Sequence, residues 1–191
     1  MGHIGIQCTA AAGGGGAGAK HPRFDDADAD PAPAEKTAKK GKGILVSGHD
    51  IWLLEELLRQ TEGKGINVYT HGELLPASTY PVLKRYKHLA GNYGGAWQLQ
   101  KFEFSKFPGP IVMTTNCLIE PRDSYKDRIF TMGQVGWSGV KHLQNTDFSQ
   151  VIKAAQASPG FAADEPEKFI SGGFGKDTLL SVAGQILDAV K

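Results

Sequence analysis

The chain reads as an α/β protein with three layers, a largely parallel sheet covered by helices on both faces. Three short apolar runs predict it: Gly43-Ile-Leu-Val-Ser47, Ile66-Asn-Val-Tyr-Thr70 and Ile111-Val-Met-Thr-Thr115. Each is β-branched and nearly continuous in apolar residues, the pattern of strands buried on both faces of a parallel sheet. The second observation is the helix expected between the first two runs. Ser47 to Asp50 fits a helix-start signature, and Ile51 to Gln60 places Ile51, Leu54, Leu57 and Leu58 on one side and Glu55, Glu56, Arg59 and Gln60 on the other. Strand, crossover helix, strand is the unit of a Rossmann-like sandwich.

Later elements continue the pattern. Arg128-Ile-Phe-Thr-Met132 reads as a fourth strand, followed by the turn-rich stretch from Gly133 to Gly139. Asp147 can cap a helix from about Phe148 to Ala157, which Pro159-Gly160 ends. A last helix is expected over about Asp177 to Lys191, with Leu180, Ala183, Ile186, Leu187 and Val190 on one face.

Residues 1–42 are a different material. Positions 10 to 19 are only Ala and Gly, and an Asp-rich run, Pro31-Ala-Pro33 and a basic cluster from Lys36 to Lys42 follow. Such a stretch buries too little to offset its ordering entropy, so a disordered low-complexity tail is expected, with the domain over 43–191. The tail carries no readable signal. Pro31 stands where the loop glycine of a calcium-binding EF-hand would be, Ile6 where a myristoylation site needs Ser or Thr, and the Asp run is foreign to a transit peptide. Cys8 shares this inert reading.

Composition excludes several classes. The 191 residues carry a net charge of +1, from 21 basic and 20 acidic residues, so no field points to nucleic acid or an anionic membrane. Cys8 and Cys117 are the two cysteines and lie in unlike surroundings, which argues against a disulfide framework and for a reducing compartment. No apolar run approaches the roughly 20 residues of a membrane helix. The expectation is a soluble, cytoplasmic protein, without a clear targeting peptide.

Three residues that suit iron each follow one of the strand-like runs: His49, Glu73 and Cys117. In an open α/β sheet the strand ends line one edge, so residues placed there by different strands can converge. Singly, each has a plainer reading. A histidine at a helix start serves as a cap or anion contact, a glutamate in a first helical turn answers the dipole, and a lone cysteine is a small buried hydrophobe. Their common position after successive strands is what raises a shared site, and His71, two residues before Glu73, is an alternative ligand that spacing leaves open. A dinucleotide site is disfavoured, because no G-x-G-x-x-G joins the first strand to its helix.

The segments around these residues are distinctive. Val-Ser-Gly-His49-Asp, Val-Tyr-Thr-His-Gly-Glu73-Leu-Leu-Pro-Ala, Gly-Asn-Tyr-Gly-Gly-Ala-Trp97 and Thr-Thr-Asn-Cys117-Leu-Ile-Glu-Pro-Arg122 closely resemble the hybrid cluster proteins, also called prismane proteins or hydroxylamine reductases. Tyr-Lys-Asp-Arg-Ile-Phe130, Gly-Trp137-Ser-Gly-Val-Lys-His142 and Gly-Phe174-Gly extend the resemblance over about residues 43–191, the middle α/β domain of that family. It implies an iron–sulfur–oxygen cluster of the 4Fe-2S-2O type, held in the family by one His, two Glu and four Cys. His49, Glu73 and Cys117 match three of those ligands. It also implies reduction of hydroxylamine to ammonia, or of nitric oxide, with an external electron donor. His71 then becomes a neighbour that orients ligands or delivers protons. Thiolate suits iron–sulfur chemistry, while imidazole and carboxylate suit harder iron with oxygen bridges.

The remaining ligands belong to family segments expected after Lys191, and the family's conventional iron–sulfur cubane is not expected here. The chain thus reads as a half-site, completed by a partner chain or a longer product. The alternative is a non-catalytic relic or interaction module that keeps the α/β fold without a cluster.

Overall fold

The structure, a computed structural model, describes residues 32–35, 37–172 and 176–190. In chain order its elements are β1 (Ala32–Glu35), β2 (Lys42–Ser47), α1 (Ile51–Thr61), β3 (Ile66–His71), a 3-10 segment (Gly72–Thr79), α2 (Pro81–Lys84), β4 (Leu89–Asn92) and a 3-10 turn (Trp97–Leu99) that runs into α3 (Gln100–Lys106). Then come β5 (Ile111–Met113), α4 (Asp123–Lys126), β6 (Ile129–Thr131), β7 (Lys141–His142), α5 (Ser149–Ala157), β8 (Phe169–Gly172), α6 (Lys176–Ser181) and α7 (Ala183–Ala189).

Six strands form one sheet in the order β4-β3-β2-β5-β6-β7, and every neighbouring pair is parallel. The chain builds outward from β2 through β3 to β4, then returns past β2 to build β5, β6 and β7. This is the doubly wound Rossmann order, whose switch point lies between β2 and β5. Register keeps the strand ends level there: Ser47 pairs with His71 of β3 and with Met113 of β5. Whatever follows those three residues emerges at one height on the carboxyl edge.

The strand alternation divides the core into two layers. Ile44, Val46, Val68, Val112 and Phe130 face α1 and α5, where Leu54, Leu57, Leu58, Val151 and Ala155 are fully buried. Leu45, Tyr69, Ile111, Met113 and Ile129 face the other way, onto Phe104 and Phe107 from the α3 region and Tyr125 of α4. The expected three-layer sandwich is therefore present. Asp50 itself caps α1, accepting from the Leu53 amide at 2.9 Å, so the helix starts three residues later than a Ser47-led start would place it.

The strands expected at 43–47, 66–70 and 111–115 appear as β2, β3 and β5, the last ending at Met113. Thr114 keeps one more bond to β2, its amide reaching the Ser47 carbonyl at 2.9 Å, before the chain turns away. The expected fourth strand is β6. The cap of α5 is Phe148 rather than the expected Asp147, and it makes no side-chain cap bond; Asp147, one residue earlier, braces the turn by accepting from the Ser149 amide at 2.9 Å. The last helix is two pieces, α6 and α7, interrupted at Val182.

The expected tail, including Cys8, lies mostly outside the described residues, but its final part belongs to the fold. β1 pairs antiparallel with β8, and Thr37 and Ala38 are buried. Gly41 exchanges two backbone bonds with Phe161, at 3.0 and 2.8 Å, and Lys39 donates its amide to the Tyr69 hydroxyl at 2.8 Å. These partners stand more than a hundred residues away for β1 and Gly41, so local composition could not announce them. Among the described residues no helix is long and apolar enough to cross a membrane.

Candidate metal centre at the sheet switch point

The carboxyl edge beside the β2/β5 switch point holds a pocket lined by Ser47, Gly48, His71, Gly72, Glu73, Trp97, Gln100, Asn116 and Cys117. Two of the three candidate ligands thus share one cavity. Glu73 enters from the first turn of the 3-10 segment after β3, exposed to solvent, and Cys117 from the loop after β5, half-buried and not in a disulfide.

His49 stands beside this pocket, off its lining, and is tied to the Cys117 loop. Its amide donates to Thr115 Oγ1 at 2.8 Å, and its Nδ1 lies 3.0 Å from the same oxygen. Gly48 makes this approach possible. Its φ is +119°, a conformation that side-chain-bearing residues rarely adopt, and a Cβ there would stand 2.7 Å from the Thr115 amide nitrogen. The glycine of Ser-Gly-His-Asp is the space into which the β5 loop closes on β2.

His71 lines the same pocket with both ring nitrogens engaged. It is fully buried, with Nδ1 3.2 Å from Ser47 Oγ and Nε2 2.8 Å from Glu103 Oε2. The Phe104 ring meets it edge-on at a centroid distance of 4.9 Å. A carboxylate only accepts, so Nε2 carries a proton. Through these contacts His71 ties the end of β3 to Ser47 of β2 and to Glu103 of α3.

Helix α3 organises the remaining wall from three positions on one face. Gln100, almost wholly buried, donates its side-chain amide to the Cys117 carbonyl and accepts from the Ile119 amide at 3.4 Å. Glu103, besides pairing with His71, accepts from the Gly95 amide at 3.0 and 3.1 Å. Gly94, at a φ of +87°, has no room for a side chain against that carboxylate. Phe104 completes the contact. None of Thr115, Gln100 and Glu103 was singled out from the sequence, and only the Gly94-Gly95 pair and Thr115, both inside the quoted motifs, gave a sign of them. Glu103 has no local pattern that would mark it.

The donor set can be tested against the implied cluster. A carboxylate and a thiol in one cavity, with an imidazole on the adjoining loop, is the mixture of hard and soft ligands that iron with oxygen and sulfur bridges takes. The set is incomplete for several irons, and among the described residues no group of three His, Cys, Asp or Glu is gathered closely enough to hold one metal ion by itself. Asp50, next to His49, is held above the usual carboxylate range by burial, which the helix-cap bonds from Leu53 and Trp52 offset only in part.

The family model described as Prismane/CO dehydrogenase family matches residues 23–191. The chain is 64% identical over 152 residues to a hydroxylamine reductase of Acidithiobacillus ferridurans, covering 80% of this chain and 27% of that protein. It is 62% identical over 154 residues to one of Methanocella arvoryzae, covering 81% and 28%, and 58% identical over 161 residues to one of Burkholderia ambifaria, covering 84% and 29%. The chain therefore spans less than a third of the length of these curated relatives. With a match that runs through both core layers and every strand of the sheet, the chain belongs to the Prismane/CO dehydrogenase family.

Proposed function

We propose that this chain is one part of a reductase of small nitrogen oxides, converting hydroxylamine to ammonia or reducing nitric oxide, and that it contributes His49, Glu73 and Cys117 as ligands of a hybrid iron–sulfur–oxygen cluster. The observation that carries this reading is the meeting of Glu73 and Cys117 in one pocket at the sheet's switch point, with His49 bonded to the same loop as Cys117. Relatives named hydroxylamine reductase, at 56 to 64% identity, support it. When bound, the cluster would supply electron storage and an iron position open to a small N–O substrate.

The protein's own residues have separable tasks. Cys117 offers the thiolate, Glu73 a carboxylate that reaches the cavity from solvent, and His49 an imidazole fixed by Thr115. His71 sits between Ser47 and Glu103, where it holds the β3 end in register and can pass protons toward the pocket. An external donor supplies electrons. Cys117 is the free cysteine among the described residues, so further thiolates come from another segment, in the same product or in a partner chain.

The alternative is an α/β interaction module that keeps the fold without a cluster. Anaerobic purification with iron and acid-labile sulfide analysis separates the two. The chain alone should carry at most weak iron and no hydroxylamine turnover; supplied with the carboxyl-terminal family segment, in cis or in trans, it should assemble the cluster. Turnover by the chain alone with full four-iron occupancy would refute the half-site reading. Failure to take up iron in either form would leave the module.

A further inference from the structure

One oxygen atom decides the chemical form of His49. Thr115 Oγ1 lies 2.8 Å from the His49 amide nitrogen, 3.0 Å from His49 Nδ1 and 3.0 Å from the Asn116 carbonyl oxygen. A hydroxyl has one proton to give and two lone pairs to receive with. The Asn116 carbonyl can only accept, so it takes the hydroxyl proton. The His49 amide can only donate, so it fills one lone pair. The second lone pair faces Nδ1, and that contact is attractive only if Nδ1 carries hydrogen. The opposite assignment, with the hydroxyl proton turned to a bare Nδ1, would set two acceptor oxygens 3.0 Å apart with no proton between them.

We infer that Thr115 is a positioning residue that locks His49 in the Nδ1–H form and so leaves the Nε2 lone pair free to bind iron. Gly48 is part of the device, since a side chain there would collide with Thr115 and open the contact. The loop that carries Cys117 therefore also sets the ligand form of His49, and the two donors from β2 and β5 are prepared together. Hydrogen bonding at one ring nitrogen selects which nitrogen can ligate. The tautomer stands independently of the cluster; its use in ligation rests on the proposed function above.

Both parts can be measured on the full chain. In the metal-free, 15N-labelled protein at a pH where the imidazole is neutral, two-bond 1H–15N correlation spectra should show a protonated Nδ1 and a pyridine-like Nε2 for His49, assigned by comparison with His49→Gln. Thr115→Val removes the hydroxyl at almost constant volume and should lose the Nδ1–H preference; Thr115→Ser should keep it. Cobalt(II), followed by its thiolate charge-transfer absorption, should bind about tenfold or more weaker to Thr115→Val and within about threefold of wild type to Thr115→Ser. A wild-type His49 protonated at Nε2 overturns the inference whether or not the variants fold, and so does a Thr115→Val chain that retains Nδ1–H. If the tautomer responds as expected while neither wild type nor variants bind cobalt, even with the carboxyl-terminal family segment supplied, the lock stands and the metal reading of the site falls.

Discussion

His71 Nε2 and Glu103 Oε2 are 2.8 Å apart, and they join the end of β3 to the middle of α3 across the wall of the pocket. The histidine is completely buried, so its N–H has no water to fall back on. Glu103→Ala would leave that donor unpaired and also release the Gly95 amide. We expect a loss of roughly 1–3 kcal/mol in denaturant unfolding, the penalty of an orphaned buried polar group. Glu103→Gln keeps an acceptor for Nε2 and should lose less than about half of that. Equal losses for both variants would mean that the carboxylate acts through its charge alone.

Gly48→Ala tests the closure of the β5 loop on β2. The φ of +119° is costly for any L side chain, and the new Cβ would press on Thr115. Strain and overlap together predict a loss of roughly 2–4 kcal/mol. Gly63→Ala is the control, because Gly63 also has a positive φ, +71°, yet nothing lies within 4 Å of its would-be Cβ. Its loss should be limited to the conformational cost, about 1 kcal/mol. Thermal unfolding of the two variants side by side separates crowding from backbone strain.

These contacts also mark how far the sequence could be read. Strands buried on both faces declare themselves through runs such as Ile44-Leu-Val46, because burial demands continuous apolar residues whatever the tertiary partner. The positions of His49, Glu73 and Cys117 at the carboxyl edge were legible for the same reason: each sits just beyond such a run. β4 and β7 were not, since Leu89-Ala-Gly-Asn92 and Lys141-His142 are short edge or near-edge segments with little apolar signal. The α3 residues that hold the pocket were hidden more deeply. Gln100 and Glu103 act through contacts 17 and 32 residues away in sequence, and a polar residue on a helix looks the same whether it meets water or a buried histidine.

His88 should give a pH signature away from the site. Desolvation by its surroundings pushes its pKa below the ordinary 6.5, partly countered by its bond to the Leu58 carbonyl and by Glu62. The unfolded chain therefore binds the proton more readily than the folded one in the window from the ordinary value downward. Stability should be full above about pH 7 and fall as the pH drops through 6.5 toward the lowered folded value. His88→Gln should flatten that part of the stability curve. An unchanged slope in the variant would place the pH dependence elsewhere.

Trimming the amino-terminal segment should have a threshold. A chain starting at residue 43 loses the buried Thr37 and Ala38, the two bonds between Gly41 and Phe161, and the bonds from Lys39 to Tyr69 and from Lys168 to Thr37. With hydrogen bonds contributing about 1 kcal/mol each, a loss of 3 kcal/mol or more is expected. A chain starting at residue 32 keeps all of them and should unfold within about 1 kcal/mol of the full chain. Calorimetry on the two truncations would show the step, and equal stability would mean that the residues joining β1 to β2 contribute nothing.

The final prediction separates folding from function at the pocket. Glu73 is exposed and Cys117 half-buried, and neither side chain belongs to either core layer. Glu73→Gln and Cys117→Ala should therefore each change the stability of the isolated chain by less than about 1 kcal/mol. If the proposed function holds, the same changes in the assembled protein remove a carboxylate and a thiolate from the proposed ligand set, and hydroxylamine reduction should fall to background with a loss of bound iron. A core change gives the opposite pattern: Leu57→Ala, at a fully buried position of α1, should cost about 2–5 kcal/mol in the chain alone. Retention of both iron and turnover in Cys117→Ala would remove Cys117 from the site, and the pocket would then need another source of thiolate to hold iron at all.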